Sequence, residues 1–167
     1  MDQRETRNAA LKNLLKERIV ILDGAMGTML QAQQLDEATF RGSQFLKHPR
    51  DLRGNFDVLN ITAPQIVQAI QRAYLEAGAD IIKTNTFNSN AISAMDYGLE
   101  QHIHELNVAG ARIAREVANE YEAAHPGQHR LVAGSMGPTN RTASMSQDVN
   151  SPASRGVIFD RLREIYA

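Results

Sequence analysis

The sequence contains no cysteine, and this absence narrows the chemistry available to the chain. Disulfides, a cysteine nucleophile and thiolate metal ligands are all excluded within these 167 residues. A cytoplasmic location is the default prediction for such a composition. Long hydrophobic runs are also missing, since none approaches the roughly 20 residues that a membrane-spanning helix needs. The charged, mixed N-terminus does not predict a secretory signal, so we expect no membrane association.

The chain also has almost no net charge, because its 18 basic and 19 acidic residues give a formal charge of −1. No block of lysine and arginine forms the stripe that phosphate backbones require, so no nucleic-acid partner is predicted. The hydrophobic fraction of 43% is typical of a soluble globular protein. The chain is long enough for one domain with a real core.

Strands and helices are predicted to alternate along the chain. Four short aliphatic runs, at residues 19–22, 57–61, 80–84 and 131–134, have the composition of buried strands. Helical periodicity covers residues 4–17, 26–33, 62–77 and 101–124, and a last helix starts near Phe159. Thr62 and Gln65 have the spacing of a capping box before the third helix, and Gly78 is predicted to end that helix.

This alternation predicts an α/β fold with parallel strands. Residues 1–18 would be an N-terminal helical extension, and residues 19–167 would form one α/β domain. The loops that follow the first, third and fourth predicted strands are polar and long, and functional loops of α/β barrels follow the carboxyl ends of strands. Periodicity alone leaves two alternatives open: half of an eight-stranded barrel, or a small open sheet.

The segment Asp-Gly-Ala-Met-Gly-Thr at 23–28 is the most informative candidate site. Asp23 stands at the end of a predicted strand, where its carboxylate could bind an α-ammonium group. Gly24, Ala25, Met26 and Gly27 follow at the start of a predicted helix, where backbone amides could bind a carboxylate. Together they would hold both charged ends of an amino acid. The alternative is an ordinary Asp-Gly turn that leaves a strand.

Two further polar loops follow the third and fourth predicted strands. Thr84 and Asn85 open a run of hydroxyl and amide side chains that can hydrogen-bond a ligand without adding charge. Ser135 and Gly137 open a similar run. The alternative for the first loop is a self-satisfied turn with Phe87 in the core.

The remaining candidates are one arginine and the histidines. Arg141 could meet a carboxylate or phosphate, although an exposed, solvated side chain is the commoner outcome. His102 and His104 are two residues apart on a predicted helix, whereas the zinc-binding helix motif needs histidines four apart. We interpret all five histidines as surface or structural residues.

Six motifs in order carry a resemblance to a known family. The segments 23–28, Phe40-Arg41-Gly42, 54–57 (Gly-Asn-Phe-Asp), 76–82 (Glu-Ala-Gly-Ala-Asp-Ile-Ile), 84–89 (Thr-Asn-Thr-Phe-Asn-Ser) and 137–142 (Gly-Pro-Thr-Asn-Arg-Thr) resemble the homocysteine-binding module of the cobalamin-dependent methionine synthases, within the homocysteine S-methyltransferase family. The second and sixth motifs favour this group over betaine-dependent and S-methylmethionine-dependent relatives. The resemblance runs from about residue 11 to the end.

The resemblance implies that residues 19–167 are the first half, about four β/α units, of a (β/α)8 TIM-type barrel. It implies that Asp23 and the amides after it bind homocysteine, and that the Thr84–Asn85 and Ser135–Gly137 segments line the same mouth. The full-length enzyme would be a methionine synthase that takes the methyl group of methyltetrahydrofolate through methylcobalamin. Methyltetrahydrofolate and cobalamin modules are expected downstream in the same chain.

The resemblance also implies a zinc ion held by three cysteines, which are expected downstream of Ala167. Zinc would favour the thiolate form of homocysteine, the nucleophilic form of the sulfur. We therefore expect this fragment alone to bind no zinc or cobalamin, to contain no catalytic residue and to be inactive. Open sheet edges predict self-association.

One departure and one competing function remain open. The resembled family has an acidic residue where Lys83 stands, and an inward-facing Lys83 would weaken the substrate assignment. A buried Asp23 paired with a basic side chain would argue against its ammonium-binding role. The alternative function is a stand-alone α/β domain that binds an amino acid without catalysis.

Overall fold

A computed structural model describes residues 3–144, 146, 150–151 and 153–166. Most of the described chain is helical. The helices are α1 (Gln3–Glu17), α2 (Met26–Ala32), α3 (Glu37–Arg41), α4 (Leu59–Thr62), α5 (Pro64–Glu76), α6 (Ala91–Ala94), α7 (Ile103–Ala124) and α8 (Phe159–Tyr166), with short 3₁₀ helices at Phe56–Val58 and Glu100–His102. None of the described helices is both long enough and apolar enough to cross a membrane.

Two parallel strands form the sheet of the described residues. Strand β1 (Ile81–Lys83) pairs in parallel with β2 (Leu131–Ala133), with Ile82 opposite Val132. On its other side β1 makes a single parallel bridge from Ile81 to Leu22. Helix α7 lies in the connection from β1 to β2, as expected for a parallel crossover. The α/β class with parallel strands is confirmed, whereas the predicted count of four strands is not.

The predicted strand at 57–61 is wrong, because this segment is helical. It begins in the 3₁₀ helix and continues into α4. The side chain of Asn55 accepts a hydrogen bond from the backbone N–H of Val58 at 3.4 Å, which caps the turn. Asp57 and Asn60 are both buried and lie three residues apart, a spacing that puts side chains on one face of a helix but on opposite faces of a strand.

Residues 19–22 were predicted to form a strand, but the segment contributes only one β-bridge, at Leu22. The prediction required a run covered on both faces, but the side chains of Ile19, Ile21 and Leu22 are 87%, 53% and 50% exposed. Backbone bonds still tie the segment to β1, since Ile21 O accepts from the N–H groups of Asp80 and Ile81. The segment is therefore extended and docked without forming a full ladder.

Helix α5 forms where helical periodicity predicted it, but its capping differs from the prediction. The Thr62 hydroxyl donates back to Val58 O at 3.3 Å, and the N-cap residue is Ala63, whose side chain makes no capping bond. The capping box is therefore wrong. Pro64 occupies the first turn, where its missing N–H is tolerated. Gly78 follows the helix with a φ of 100°, a conformation that favours glycine.

The two faces of β1 have different surroundings, and this difference positions the site. Ile82 is fully buried in a cluster with Leu75 of α5 and Val117 of α7. Because side chains alternate along a strand, Lys83 lies on the opposite face. A second hydrophobic cluster includes Phe40 and Leu59 and packs around α2–α4. The helices thus cover one face of the sheet and leave the other for polar groups.

Candidate functional site

A cavity of about 350 Å³ lies at the carboxyl ends of β1 and β2. Its walls come from the start of α2, the first 3₁₀ helix and the loops after both strands. Six of the nine predicted binding residues line it: Ala25, Met26, Gly27, Thr84, Asn85 and Ser135. The remaining lining residues are Phe56, Asp57, Lys83, Phe87 and Asn88.

Asp23 is buried beside this cavity and is already paired with a cation. Its Oδ2 accepts a hydrogen bond from the backbone N–H of Lys83 at 2.9 Å. Its Oδ1 lies 3.3 Å from Lys83 Nζ, and the Asp23 side chain is only 1% exposed. Lys83 itself lines the cavity. The inward lysine that argues against an ammonium-binding Asp23 is therefore present.

Gly24 serves the packing of Tyr74. A Cβ atom at Gly24 would lie 2.8 Å from the Tyr74 hydroxyl oxygen. That hydroxyl donates a hydrogen bond to Ala25 O at 3.2 Å. The absence of a side chain at Gly24 therefore lets α5 hold the start of α2 in place.

Hydroxyl groups join the loops after the two strands. The Thr84 and Thr86 Oγ1 atoms are 2.6 Å apart. Thr86 donates to Ser135 O at 2.8 Å, and the Ser135 N–H donates to Thr84 Oγ1 at 2.9 Å. Thr84 and Ser135 therefore belong to one buried network, which fixes the two loops side by side.

Asn85 is held by a second buried network. Its side-chain amide donates to Phe56 O at 2.8 Å and to Asn60 Oδ1 at 3.1 Å. The Asn60 amide in turn donates to Asn85 O at 2.7 Å. These bonds attach the loop after β1 to the helical segment that precedes α5.

Gly137 allows the second loop to approach Phe87 closely. Its N–H donates to Phe87 O at 3.0 Å, and a Cβ atom at Gly137 would collide with that oxygen. Phe87 is 52% exposed, so the alternative that placed it in the core is wrong. Gly137 lines a separate cavity of about 190 Å³, where Tyr166 donates to Gly137 O at 2.6 Å.

Asp57 is a cavity residue that sequence analysis did not single out. Its Oδ2 accepts hydrogen bonds from the Asn88 N–H at 2.7 Å and the Ser89 hydroxyl at 2.8 Å. Burial raises the pKa of Asp57 to about 6, although both hydrogen bonds oppose that rise. The available signal was the carboxylate of the Gly-Asn-Phe-Asp motif, which was misplaced in a predicted strand.

The other candidates lie outside this cavity. Arg141 is 3.7 Å from Asp96 and about one-third exposed, so it has a partner on the surface. The His48 ring lies 2.7 Å from Tyr97 O, and the His102 ring lies 3.2 Å from Glu105. In the described part of the chain, no three His, Cys, Asp or Glu side chains come together as a metal site.

Parallel strands backed by helices, with a polar cavity at their carboxyl ends, define the ligand-binding arrangement of α/β proteins. The family model of the homocysteine S-methyltransferases matches residues 20–167 of this chain. The chain therefore belongs to the homocysteine S-methyltransferase family.

Solved structures agree with this assignment. The oxidized form of the Escherichia coli homocysteine methyltransferase MmuM superimposes with a TM-score of 0.60 at 26% identity, over 77% of this chain and 40% of that protein. Its metallated form gives a TM-score of 0.59 at 25% identity, over 77% of this chain and 41% of that protein. The chain thus spans less than half the length of these relatives and corresponds to part of their fold.

Proposed function

We propose that this chain forms the homocysteine-binding part of a methyltransferase that makes methionine from homocysteine. The observation that carries the proposal is the position of the cavity within the family match. Its polar lining is contributed by Thr84, Asn85 and Ser135 at the carboxyl ends of the two strands, the usual place for ligands in α/β folds. Their networks hold backbone and side-chain groups in place before a ligand arrives.

We also propose a specific methyl donor for this reaction. The Phe40-Arg41-Gly42 and 137–142 motifs favour a cobalamin-dependent methionine synthase, with methyltetrahydrofolate as the donor through methylcobalamin. In that case the folate and cobalamin modules belong to other segments of the full-length protein. A cytoplasmic location stays a prediction from the sequence.

The residues of this chain do not fit the zinc site that the resemblance implies. Three thiolates are required, and the sequence has no cysteine. We therefore assign no catalytic step to a metal here. The contribution proposed for this chain is to bind and orient the amino acid, while activation of the sulfur requires groups outside it.

Calorimetric titration of the chain with homocysteine tests the proposal, with homoserine as the matched ligand that carries oxygen in place of sulfur. We expect homocysteine to bind and homoserine to bind more weakly. Equal binding of the two would support the stand-alone amino-acid-binding domain instead. Absence of homocysteine binding would refute the proposal. A parallel assay with methylcobalamin should show no methionine formation by this chain.

A cavity-filling variant shows whether binding occurs in this cavity. Gly27 lines it, and a Cβ atom at Gly27 meets nothing within 4 Å, so Gly27→Leu should fill space without disturbing the fold. The control is Gln31→Leu, an exposed position on the same helix and outside the lining of this cavity. Homocysteine binding should be lost in the first variant and kept in the second. Equal effects would place the ligand elsewhere.

A further inference from the structure

We propose that Lys83 binds the carboxylate group of the amino acid in this cavity. The inference rests on the proposed function and deepens it, because it assigns one of the charged contacts that select an amino acid. It concerns a position at which the chain departs from the family that it resembles, where an acidic side chain is expected. Three features of Lys83 lead to it: its place on the strand, its existing contacts and the charges around it.

The direction of the Lys83 side chain is fixed by the strand that carries it. Lys83 is the last residue of β1, and its neighbour Ile82 is fully buried against the helices. Because side chains alternate along a strand, Lys83 points to the opposite face, where the cavity lies. Its backbone N–H donates to Asp23 Oδ2 at 2.9 Å, which holds this end of β1 in place.

The Lys83 ammonium group has room for a further partner. Its Nζ lies 3.3 Å from Asp23 Oδ1 and 3.5 Å from Asp23 O, and no other described residue accepts a hydrogen bond from it. An ammonium group has three N–H donors, so at least one remains for a ligand. The Lys83 side chain is 33% exposed and lines the cavity, so a ligand inside can reach it.

The charges around the cavity favour a carboxylate at Lys83. In the described part of the chain, Lys83 is the only cationic side chain that lines this cavity. The other ionisable lining residue, Asp57, stands on the 3₁₀ helix and repels a carboxylate once it is ionised. A ligand carboxylate is therefore drawn to the β1 side of the cavity.

Asp23 supplies the complementary charge beside Lys83. Its Oδ1 is buried and accepts no hydrogen bond within the described chain, although Lys83 Nζ is close enough to form an ion pair with it. The two side chains thus place a positive and a negative group next to each other. An amino acid carries the same two charges on groups that share one carbon atom. A ligand whose carboxylate contacts Lys83 therefore brings its ammonium group toward Asp23, which is compatible with the role predicted for Asp23.

Lys83→Met is the variant that tests the inference, because methionine keeps an unbranched side chain while it removes the charge. The ligands are homocysteine and 3-aminopropanethiol, which is the same molecule without its carboxylate. The matched control is Lys47→Met, since Lys47 is exposed and does not line the cavity. Because the chain has no cysteine, neither thiol can form a disulfide with it.

We expect calorimetry to show that the wild type prefers homocysteine over 3-aminopropanethiol by about tenfold or more, the usual range for a hydrogen bond to a charged group. Lys83→Met should lower that preference by about the same factor, through weaker binding of homocysteine alone, and Lys47→Met should keep it. A preference that survives in Lys83→Met would overturn the inference, and so would a wild type without any preference. Equal tightening of both ligands in Lys83→Met would also overturn it, because the lysine would then only block Asp23.

A measurement on the wild type does not depend on whether the variants fold. Nitrogen NMR of the lysine side chains follows Lys83 Nζ directly. Saturating homocysteine should shift this signal and leave that of Lys47 unchanged, whereas 3-aminopropanethiol should shift it less. If homocysteine binds but the Lys83 signal does not move, the inference is refuted while the proposed function stands. Failure of homocysteine to bind at all would refute the proposed function, and the inference with it.

Discussion

Asp57→Asn should make folding more favourable at neutral pH than the wild-type carboxylate does. Burial raises the pKa of Asp57 to about 6, from a usual value of 3.8. The folded protein therefore binds this proton more tightly than the unfolded chain does. Its stabilising contribution is complete below the unfolded pKa and is lost as the pH rises through the folded pKa. Asparagine carries no such penalty at any of these pH values.

The size of the effect follows from the two pKa values. Their difference corresponds to about 3 kcal/mol once the group is ionised in both states. Part of this penalty is already present at pH 4, so the change that can be measured between pH 4 and pH 8 is about 2–3 kcal/mol. Over that interval, the free energy of unfolding of Asp57→Asn should rise relative to the wild type by this amount.

Urea denaturation followed by circular dichroism at pH 4, 6 and 8 would measure the difference. Other carboxylates shift both proteins equally, so the comparison isolates Asp57. Asp51→Asn is the control, because its side chain is 91% exposed and should follow the wild type at each pH. If the difference between Asp57→Asn and the wild type does not change with pH, the buried carboxylate is not perturbed and the reasoning is refuted.

Four more outcomes are expected. The hydrogen bond from Arg18 lowers the pKa of Asp80, so this pair stabilises the folded state above about pH 4 and loses that effect as the pH falls further. In Arg18→Met, the free energy of unfolding should therefore decrease less steeply on acidification than in the wild type. An equally steep decrease in both proteins would contradict this. Gly110→Ala places a Cβ atom 2.8 Å from Asn60 Nδ2 and should cost about 1–3 kcal/mol in urea, whereas Gly27→Ala should cost nothing; equal effects would contradict the packing. Elemental analysis after dialysis should find no stoichiometric zinc, and one zinc per chain would disprove this. Sedimentation should show self-association through the open edge of β2, and a strict monomer would count against it.

The sequence predicted the elements whose patterns are long. Helices α5 and α7 follow apolar spacing over three or more turns, and their limits fall close to those expected from residues 62–77 and 101–124. Strands β1 and β2 also lie within the aliphatic runs that predicted them. Such runs lie between predicted helices, so helix–sheet packing reinforces the local preference.

Short apolar runs were less reliable because their surroundings decide their structure. Residues 57–61 have the composition of a strand, yet Asn55 caps a turn there and Asn60 points into a buried amide network. The cap is a local contact, whereas the amide network depends on Asn85, which is 25 residues from Asn60 in sequence. Four or five apolar residues cannot distinguish these outcomes from their own pattern.

The place where the predicted site residues meet could be read from the sequence, but their partners could not. Polar loops after parallel strands do meet at one cavity, because Thr84 and Ser135 follow strands that are neighbours. The ammonium-binding group was assigned to Asp23 from its position at the end of a run. Its partner Lys83 is 60 residues away in sequence, and the backbone bonds between residues 21–23 and residues 80–81 bring the two side chains together.

A single strand position therefore sets the charge next to Asp23. Residue 83 alternates with Ile82, whose side chain is committed to the helices, so whatever stands at 83 points toward the site. An acidic residue, as the resembled family has, would leave Asp23 without this cation and make the wall more negative. Lysine neutralises Asp23 and leaves Asp57 as the one cavity-lining carboxylate in the described chain without a cation. The charge on this wall of the cavity therefore depends on the side chain at position 83.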